Sequence, residues 1–151
     1  MTSPQFSPSS QPSPSAGYSG TPLPKKLGIK AGHYVLFHDA PEGFDPQPLP
    51  YDVTVETSED GVAGPYDVIV AFAKDRATLT DGYATLPSLL SKSGALWMCW
   101  PKKASGVVTD VTENVVRDDA LALPIGLVDV KVAAIDATWS GLKLVYRLDS
   151  R

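Results

Sequence analysis

The sequence predicts a three-layer α/β fold built on a mixed sheet of about six strands, mostly parallel, with a C-terminal antiparallel hairpin. Residues 68–73 and 95–100 are continuously apolar, which is typical of parallel strands covered on both faces. The segment between them has helical spacing, as a crossover between parallel strands requires. Residues 128–134 and 142–148 alternate around a short turn, which predicts a hairpin with one buried and one partly wet face.

The composition predicts one globular domain, residues 21–151, preceded by a disordered tail, residues 1–20. The tail holds seven Ser and four Pro, and such a segment cannot bury enough apolar surface to offset the entropy lost on ordering. The whole chain is 43% hydrophobic, an ordinary value for a globular protein. No apolar run is long enough to span a bilayer, and no signal-peptide pattern opens the chain. With a single cysteine, Cys99, these features predict a cytoplasmic protein without membrane attachment.

Charge is divided unevenly along the chain, whose net charge is -4. Eight acidic residues and no Lys or Arg lie between positions 31 and 73, whereas from Lys74 to the end ten basic residues stand against nine acidic ones, which is close to neutral. A nucleic-acid partner requires a basic stripe that neutralises phosphates. The sequence therefore predicts that nucleic acid is not the partner.

The first half of the domain is predicted to hold one short helix and three strands. The helix, Leu23–Leu27, follows Thr21-Pro22 and stops at Gly28. The strands are His33–Phe37, Val53–Thr57 and Asp67–Ala73. Four prolines exclude a regular helix from the loop between the first two strands.

The second half is organised around residues 93–113. This stretch predicts a turn at Ser93-Gly94, a buried strand over 95–100, a basic loop and a helix start. Asp110 precedes Glu113 by three residues, a variant capping box for a helix over 111–123. The segment 75–92 is predicted as two short helical pieces because Gly82 and Pro87 interrupt it. The hairpin turn is placed at residues 138–141.

Six stretches of the chain are distinctive when they are taken together. They are AGYSGTPLPKKLGIK (16–30), LFHDAPEGF (36–44), GALWMCWPKKASG (94–106), DVTENVVR (110–117), GLVDVKV (126–132) and AIDATWSGLK (134–143). In these stretches the chain resembles a small uncharacterised actinobacterial family, a domain of unknown function. That resemblance implies no established activity.

The order of the elements carries a second, more distant resemblance. VLFHDAPEGF (35–44), VTVETS (53–58) and YDVIVAF (66–72), followed by the terminal hairpin, are similar in order to a trimmed, Rossmann-like S-adenosylmethionine-dependent methyltransferase. The resemblance implies S-adenosylmethionine as a cofactor, with Asp39 and Gly43 in its loop and Glu56 on the ribose hydroxyls. The loop departs from the family pattern, since it keeps one glycine and Pro41 lacks a backbone N–H.

The ligand site is expected at the carboxyl ends of the strands, where open α/β sheets bind their ligands. The basic loop supplies Lys102, Lys103 and Ser105 near a helix start, whose dipole favours a small anionic ligand. His38 beside Asp39 has the arrangement of an oriented general base. The sequence contains no HExxH, CxxC, P-loop or Gly-x-Ser-x-Gly pattern, so it predicts neither a metal site nor a catalytic set.

Three hypotheses follow. The preferred one is a non-catalytic module that binds a small ligand or a protein partner in the crevice at the strand ends. The first alternative is a divergent methyltransferase that holds its cofactor with Glu56 and residues 39–43. The second is an oligomerising scaffold protein, which would use the edge of the hairpin and an exposed Trp139 as an interface.

Overall fold

A computed structural model describes residues 21–58 and 63–150 and contains one six-stranded sheet in the order β2-β1-β3-β4-β6-β5. The strands are β1 Tyr34–His38, β2 Thr54–Thr57, β3 Tyr66–Phe72, β4 Leu90–Pro101, β5 Leu127–Ala134 and β6 Trp139–Tyr146. Strands β2, β1, β3 and β4 are parallel, and β6 runs antiparallel to both β4 and β5. The predicted mixed α/β fold is confirmed. The predicted tail and a turn expected at residues 59–61 lie outside the described residues.

Helices and 3-10 turns precede, connect and follow the strands in the described part of the chain. They are α1 Leu23–Leu27, α2 Arg76–Thr85 and α3 Glu113–Leu121, with 3-10 turns at Leu86–Leu89, Lys103–Ser105 and Leu148–Ser150. The bounds predicted for α1 are confirmed, and Gly28 ends it with a left-handed φ of 79°. The helical segment before β4 is divided as predicted, because Pro87 lies in the 3-10 turn that follows α2.

The two long helices cover one face of the sheet, called here the helical face. Leu79 and Tyr83 of α2, with Val116 and Ala120 of α3, pack against strand residues such as Met98. The opposite face, called here the loop face, carries α1 and the loop between β1 and β2. The indole Nε1 of Trp97 donates a hydrogen bond of 3.0 Å to the Leu27 carbonyl, which ties α1 to the centre of the sheet.

A row of four aromatic rings builds the core of the loop face. Phe44 of the β1–β2 loop packs edge-on against Phe37, at 5.1 Å between centroids, and against Phe72, at 4.9 Å. Phe72 in turn meets Trp139 at 5.1 Å. Edge-to-face pairs at these distances are favourable beyond the apolar area that they bury. The Phe44 side chain thus covers part of the sheet that a helix covers in a three-layer α/β fold with helices on both faces.

The predicted turn at Ser93-Gly94 is wrong, because both residues lie within β4. The pairing with β3 is irregular there, since Tyr66 aligns with Leu90 but Val68 aligns with Ala95. A Cβ at position 94 would lie 2.7 Å from the Asp67 carbonyl oxygen. The glycine therefore permits the backbones of β3 and β4 to lie close together, which is a common reason for a glycine within a strand.

The predicted cap of α3 is also wrong. Thr112 caps the helix by accepting a hydrogen bond of 3.3 Å from the Val115 amide. Asp110 accepts a hydrogen bond from the Arg76 amide at 2.9 Å and joins the start of α2 to this loop. Helix α3 ends at Leu121, two residues before the predicted end.

The hairpin turn precedes the predicted one. Asp136 accepts hydrogen bonds from the amides of Thr138 and Trp139, both at 2.8 Å, so β6 begins at Trp139. Alternating burial is present in β6, but β5 is the edge strand, and Val130 and Val132 are 51% and 41% exposed. The register of β5 against β6 shifts between Asp129 and Lys131, which breaks the predicted alternation.

Candidate functional site

A crevice lies where the strand order reverses, between the carboxyl ends of β1 and β3. From β1 the sheet extends to β2 on one side and to β3 on the other. Open α/β sheets bind ligands outside the carboxyl ends of the strands at such a point. The crevice has a volume of about 300 Å³ and is lined by Asp39, Pro41, Phe72, Lys74, Asp75, Thr78 and Trp139.

Phe72 and Trp139 form the apolar wall of the crevice. Phe72 is the last residue of β3 and Trp139 the first of β6, so the antiparallel direction of β6 brings its start to the same edge. Trp139 was predicted as an exposed residue at the hairpin edge, but it is half-buried. Strand β6 lies inside the sheet, between β4 and β5. The Trp139 side chain thus lines the crevice, and its role as an interface anchor stays a prediction.

Asp39 enters the crevice directly after β1. Its backbone is left-handed, with φ 56°, a conformation that Asp tolerates better than most residues. Its amide donates a hydrogen bond of 3.3 Å to Ser58 Oγ, which ties the loop to the end of β2. One carboxylate oxygen lies 3.4 Å from His38 Nε2. The other ring nitrogen, His38 Nδ1, is buried and has no hydrogen-bond partner among the described residues.

The charged rim of the crevice is completed by Lys74 and Asp75. Asp75 caps α2, and the hydrogen bond of 2.8 Å from the Thr78 amide lowers the pKa of its carboxyl group. The carboxylate therefore stays ionised at neutral pH. The carbonyl of Lys74 accepts a hydrogen bond of 2.6 Å from Thr109 Oγ1, which fixes the backbone of this loop. One ammonium group and two carboxylates thus surround an aromatic wall.

Glu56 lies elsewhere, on the helical face of the sheet. Its two carboxylate oxygens accept hydrogen bonds from Tyr34 and Tyr66, each at 2.5 Å. These tyrosines are the first residues of β1 and β3, at the end of the strands opposite to the crevice. The hydrogen bond to Glu56 raises the pKa of Tyr34 to about 12. Burial, and next the hydrogen bond to Glu56, raise the pKa of Tyr66. Glu56 therefore joins the short strand β2 to its neighbours.

Gly43 is exposed and does not line the crevice. Its φ of 84° lies in the left-handed region, and no atom would contact a Cβ built there. It turns the chain immediately before Phe44, whose ring packs into the aromatic row. Gly43 therefore shapes the backbone of the loop between β1 and β2, which directs Phe44 into the core.

The basic loop is not assembled as one anion site. Lys103 lines a separate cavity of about 620 Å³ that also holds Thr112 and Glu113. Lys102 does not line this cavity; burial, and then the charge of Lys102, lower the pKa of Lys26. The Ser105 hydroxyl donates to the Lys102 carbonyl at 2.6 Å and accepts from the Val107 amide at 3.2 Å. The structure brings none of these three residues to the crevice that contains Asp39.

Cys99 is fully buried in β4, and burial raises the pKa of its thiol. This environment keeps the thiol protonated at neutral pH. Within residues 21–58 and 63–150, no group of three or more His, Cys, Asp or Glu side chains is arranged to hold a metal ion. In the same ranges, no helix has the length and apolarity needed to cross a membrane.

Comparison with known proteins shows the fold. No family model matches the chain, so the resemblance to the small actinobacterial family stays a prediction. No curated protein matches it either. Among solved structures, TrmN from Thermus thermophilus, a methyltransferase, is similar with a TM-score of 0.50 and 10% sequence identity. The match covers 83% of this chain and 47% of the TrmN chain, so this chain spans about half the length of that structure.

Four crevice residues were not singled out by the sequence as site residues: Phe72, Lys74, Asp75 and Thr78. A signal for two of them was present, because Lys74 and Asp75 directly follow a continuously apolar strand. Polar residues at the carboxyl end of such a strand lie at the ligand-binding edge of the sheet. Phe72 and Thr78 carried no comparable signal, since an aromatic at a strand end and a Thr in a first helical turn are ordinary features.

Proposed function

We propose that this chain is a small-ligand-binding module whose site is the crevice between β1 and β3. The observation that supports this most is the juxtaposition at the switch point of an aromatic wall, Phe72 and Trp139, with the charged side chains of Asp39, Lys74 and Asp75. Binding sites typically combine an apolar lining with a few fixed polar groups. Hydrogen bonds fix the backbone at Asp39 and Lys74 and hold the Asp75 carboxylate in place before a ligand arrives.

The chemistry of the crevice defines the class of ligand. Two carboxylates against one ammonium group favour a ligand that carries a positive charge, such as an amine, together with a smaller acidic or polar group. The edge-to-face pair of Phe72 and Trp139 offers an apolar surface to a planar or aliphatic part. A volume of about 300 Å³ lies at the lower end of the range for small-molecule sites, so the ligand is small.

A divergent S-adenosylmethionine-dependent methyltransferase is the second candidate, and the fold shared with TrmN favours it. Of the residues that the resemblance implies for the cofactor, Asp39 lines the crevice. Glu56 is bonded to two tyrosines, and Pro41 offers no N–H to a ligand. Methyl transfer is therefore supported by the shared fold, whereas ligand binding is supported by the residues that line the crevice.

The oligomerising scaffold has less support than these two. Its proposed anchor, Trp139, lies in the crevice, and the proposed edge belongs to β5. Lys131 and the irregular register of β5 are features that discourage the addition of a further strand.

Native mass spectrometry of the freshly purified full chain tests the proposal. We expect a bound small amine that the variant Asp39→Asn retains poorly, because this change removes one of the two carboxylates at the rim of the crevice. The matched control is Asp118→Asn, which removes an exposed carboxylate from α3, away from the crevice. Calorimetric titration with S-adenosylmethionine follows on the same samples.

The outcomes separate the candidates. A co-purifying amine lost by Asp39→Asn and kept by Asp118→Asn supports the module. Micromolar binding of S-adenosylmethionine that depends on Asp39 would transfer the support to the methyltransferase. A protein without any bound molecule, and without a thermal shift from a panel of small amines and amino acids, would overturn the proposal.

A further inference from the structure

Six of the nine lysines of this chain lie on or around one part of the loop face. They come from α1 and the turn after it, the end of β4, and both strands of the hairpin: Lys25, Lys26, Lys30, Lys102, Lys131 and Lys143. We call this set the lysine cluster. It lies in a chain with net charge -4, so the total charge conceals a strongly basic surface.

A groove of about 500 Å³ lies at the centre of the cluster, between α1 and β5. It is lined by Thr21, Lys25, Lys26 and residues 131–134. The Lys26 ammonium donates a hydrogen bond of 2.9 Å to the Ala134 carbonyl, so one amine is held at the wall of the groove. None of the lining residues belongs to the crevice between β1 and β3.

The amines of the cluster repel one another. Lys131 and Lys143 are direct neighbours across β5 and β6, an arrangement of like charges that destabilises a sheet. Burial, and then Lys102 and Lys131, lower the pKa of Lys26. Burial, and then Lys131 and Lys30, lower the pKa of Lys143. No carboxylate is among the groups that shift these two pKa values.

The helical face treats its cations differently. Arg76 pairs with Asp119 at 2.9 Å, and Arg117 pairs with Glu113 at 2.7 Å and with Asp129 at 3.0 Å. In residues 21–58 and 63–150, by contrast, Lys30, Lys131 and Lys143 form no ion pair. The arginines of the helical face are therefore neutralised by carboxylates, whereas these three lysines of the loop face are not.

Protection of the sheet edge explains only part of the cluster. A lysine and an irregular register on an edge strand discourage pairing with another chain, which accounts for Lys131. Lys143 lies on β6, an interior strand, and Lys26 and Lys30 lie in another layer. These residues do nothing for the edge, so their convergence requires another explanation.

We propose that the lysine cluster binds a ligand that carries a chain of two or more phosphate groups. Ammonium groups are compact point charges that bind phosphate oxygens well, and several amines around one groove match several linked phosphates. The groove lining contains no aromatic side chain that could stack on a base. Recognition therefore concerns the phosphate chain, whether it belongs to a nucleotide or to inorganic polyphosphate.

Calorimetric titration of the full chain tests this inference with three probes: inorganic tripolyphosphate, ATP and orthophosphate. We expect tripolyphosphate and ATP to bind, and orthophosphate to bind at least about tenfold more weakly, since it spans fewer amines. The affinity for tripolyphosphate falls as salt is raised. If ATP and tripolyphosphate bind alike, the phosphate chain alone is recognised; if ATP binds more tightly, the natural source is a nucleotide.

A pair of variants with the same loss of charge localises the site. The double variant Lys131→Gln/Lys143→Gln is expected to weaken tripolyphosphate binding by about tenfold or more. The control Lys92→Gln/Arg147→Gln is expected to change it less than about twofold, because both exposed charges lie outside the groove and charges at a distance are screened. Thermal unfolding of both proteins confirms that each is folded.

Three results would overturn the inference. One is the absence of binding by tripolyphosphate and ATP at low salt. Another is an equal loss in the two double variants, which would indicate attraction by total charge. The third is binding of a single-stranded RNA homopolymer without binding of tripolyphosphate, which would assign the cluster to an extended nucleic-acid surface.

Discussion

One face of the sheet is covered by α2 and α3, whereas the other is covered by the five-residue α1 and the loop between β1 and β2. The helical face is held by helix side chains that pack among aliphatic and aromatic strand residues, and Arg76 and Arg117 are paired there with carboxylates. The loop face is held by a row of aromatic rings and carries the lysine cluster. The comparison shows that a thin layer on one side can still complete a core, provided that large rings replace the missing helical surface.

The largest expected effect concerns the aromatic row. Phe72→Ala should lower the free energy of unfolding by about 3–5 kcal/mol, because it removes the ring between Phe44 and Trp139 and leaves a cavity. Urea denaturation measures this. Tyr51→Ala is the control, since Tyr51 is 77% exposed and its loss should change stability by less than about 0.5 kcal/mol. A loss below about 1 kcal/mol for Phe72→Ala would show that the loop face is not a core.

On the helical face, the next largest effect belongs to the carboxylate that two tyrosines share. Glu56→Gln should lower the free energy of unfolding by about 1–3 kcal/mol, because charge-assisted hydrogen bonds to Tyr34 and Tyr66 are weakened. Binding of the crevice ligand should stay unchanged. Loss of ligand binding in a protein that remains folded would instead assign Glu56 to the ligand site, as the methyltransferase resemblance implies.

A smaller loss on the same face should accompany alkaline pH. The pKa of Tyr34 is raised to about 12 in the folded chain, above its ordinary value of about 10. The folded state therefore holds this proton more tightly, and the stability gained is fully present below pH 10 and lost as pH rises through 12. Urea midpoints measured across this range should fall more steeply for the natural chain than for Tyr34→Phe. Parallel curves would contradict the shift.

The smallest expected effects differ in sign between the two faces. Lys143→Gln should raise stability at low salt by a few tenths of a kcal/mol, roughly 0.2–1, because it relieves repulsion from Lys131. Arg117→Gln should lower stability, because it removes pairs with Glu113 and Asp129. Thermal unfolding at low and high salt measures both, and both effects should shrink as salt screens the charges. If both variants changed the stability in the same direction, the proposed electrostatic difference between the two faces would be wrong.

Features that depend on one segment could be predicted from the sequence, as the strand 67–73 and helix α1 show. A continuous apolar run predicts a buried strand, and a Pro before and a Gly after a short segment predict the ends of a helix, without reference to distant residues. Residues with two uses were misassigned: Gly94 permits contact with β3 but was assigned to a turn, and Asp110 bonds the Arg76 amide but was assigned as a cap. In both cases the deciding partner lies far away in the sequence.

The site was less predictable than the fold for the same reason. The contact of Phe72 with Trp139 depends on the start of β6, and an error of a few residues in the hairpin turn placed Trp139 outside the sheet. The lysine cluster joins α1 to both strands of the hairpin, a combination that only the strand order establishes. The position of Glu56 near the end of a strand can be predicted from the sequence, but its hydrogen bonds to Tyr34 of β1 and Tyr66 of β3 depend on residues distant in the sequence.

The three tryptophans of this chain differ in their access to solvent, which gives the protein an internal optical probe. Trp97 and Trp100 are 0% and 6% exposed in β4, whereas Trp139 is half-buried in the wall of the crevice. A molecule that enters the crevice would alter the emission of Trp139 against a nearly constant background from the other two. Ligands can therefore be screened by intrinsic fluorescence on the unlabelled chain, with Trp139→Phe as the silent reference.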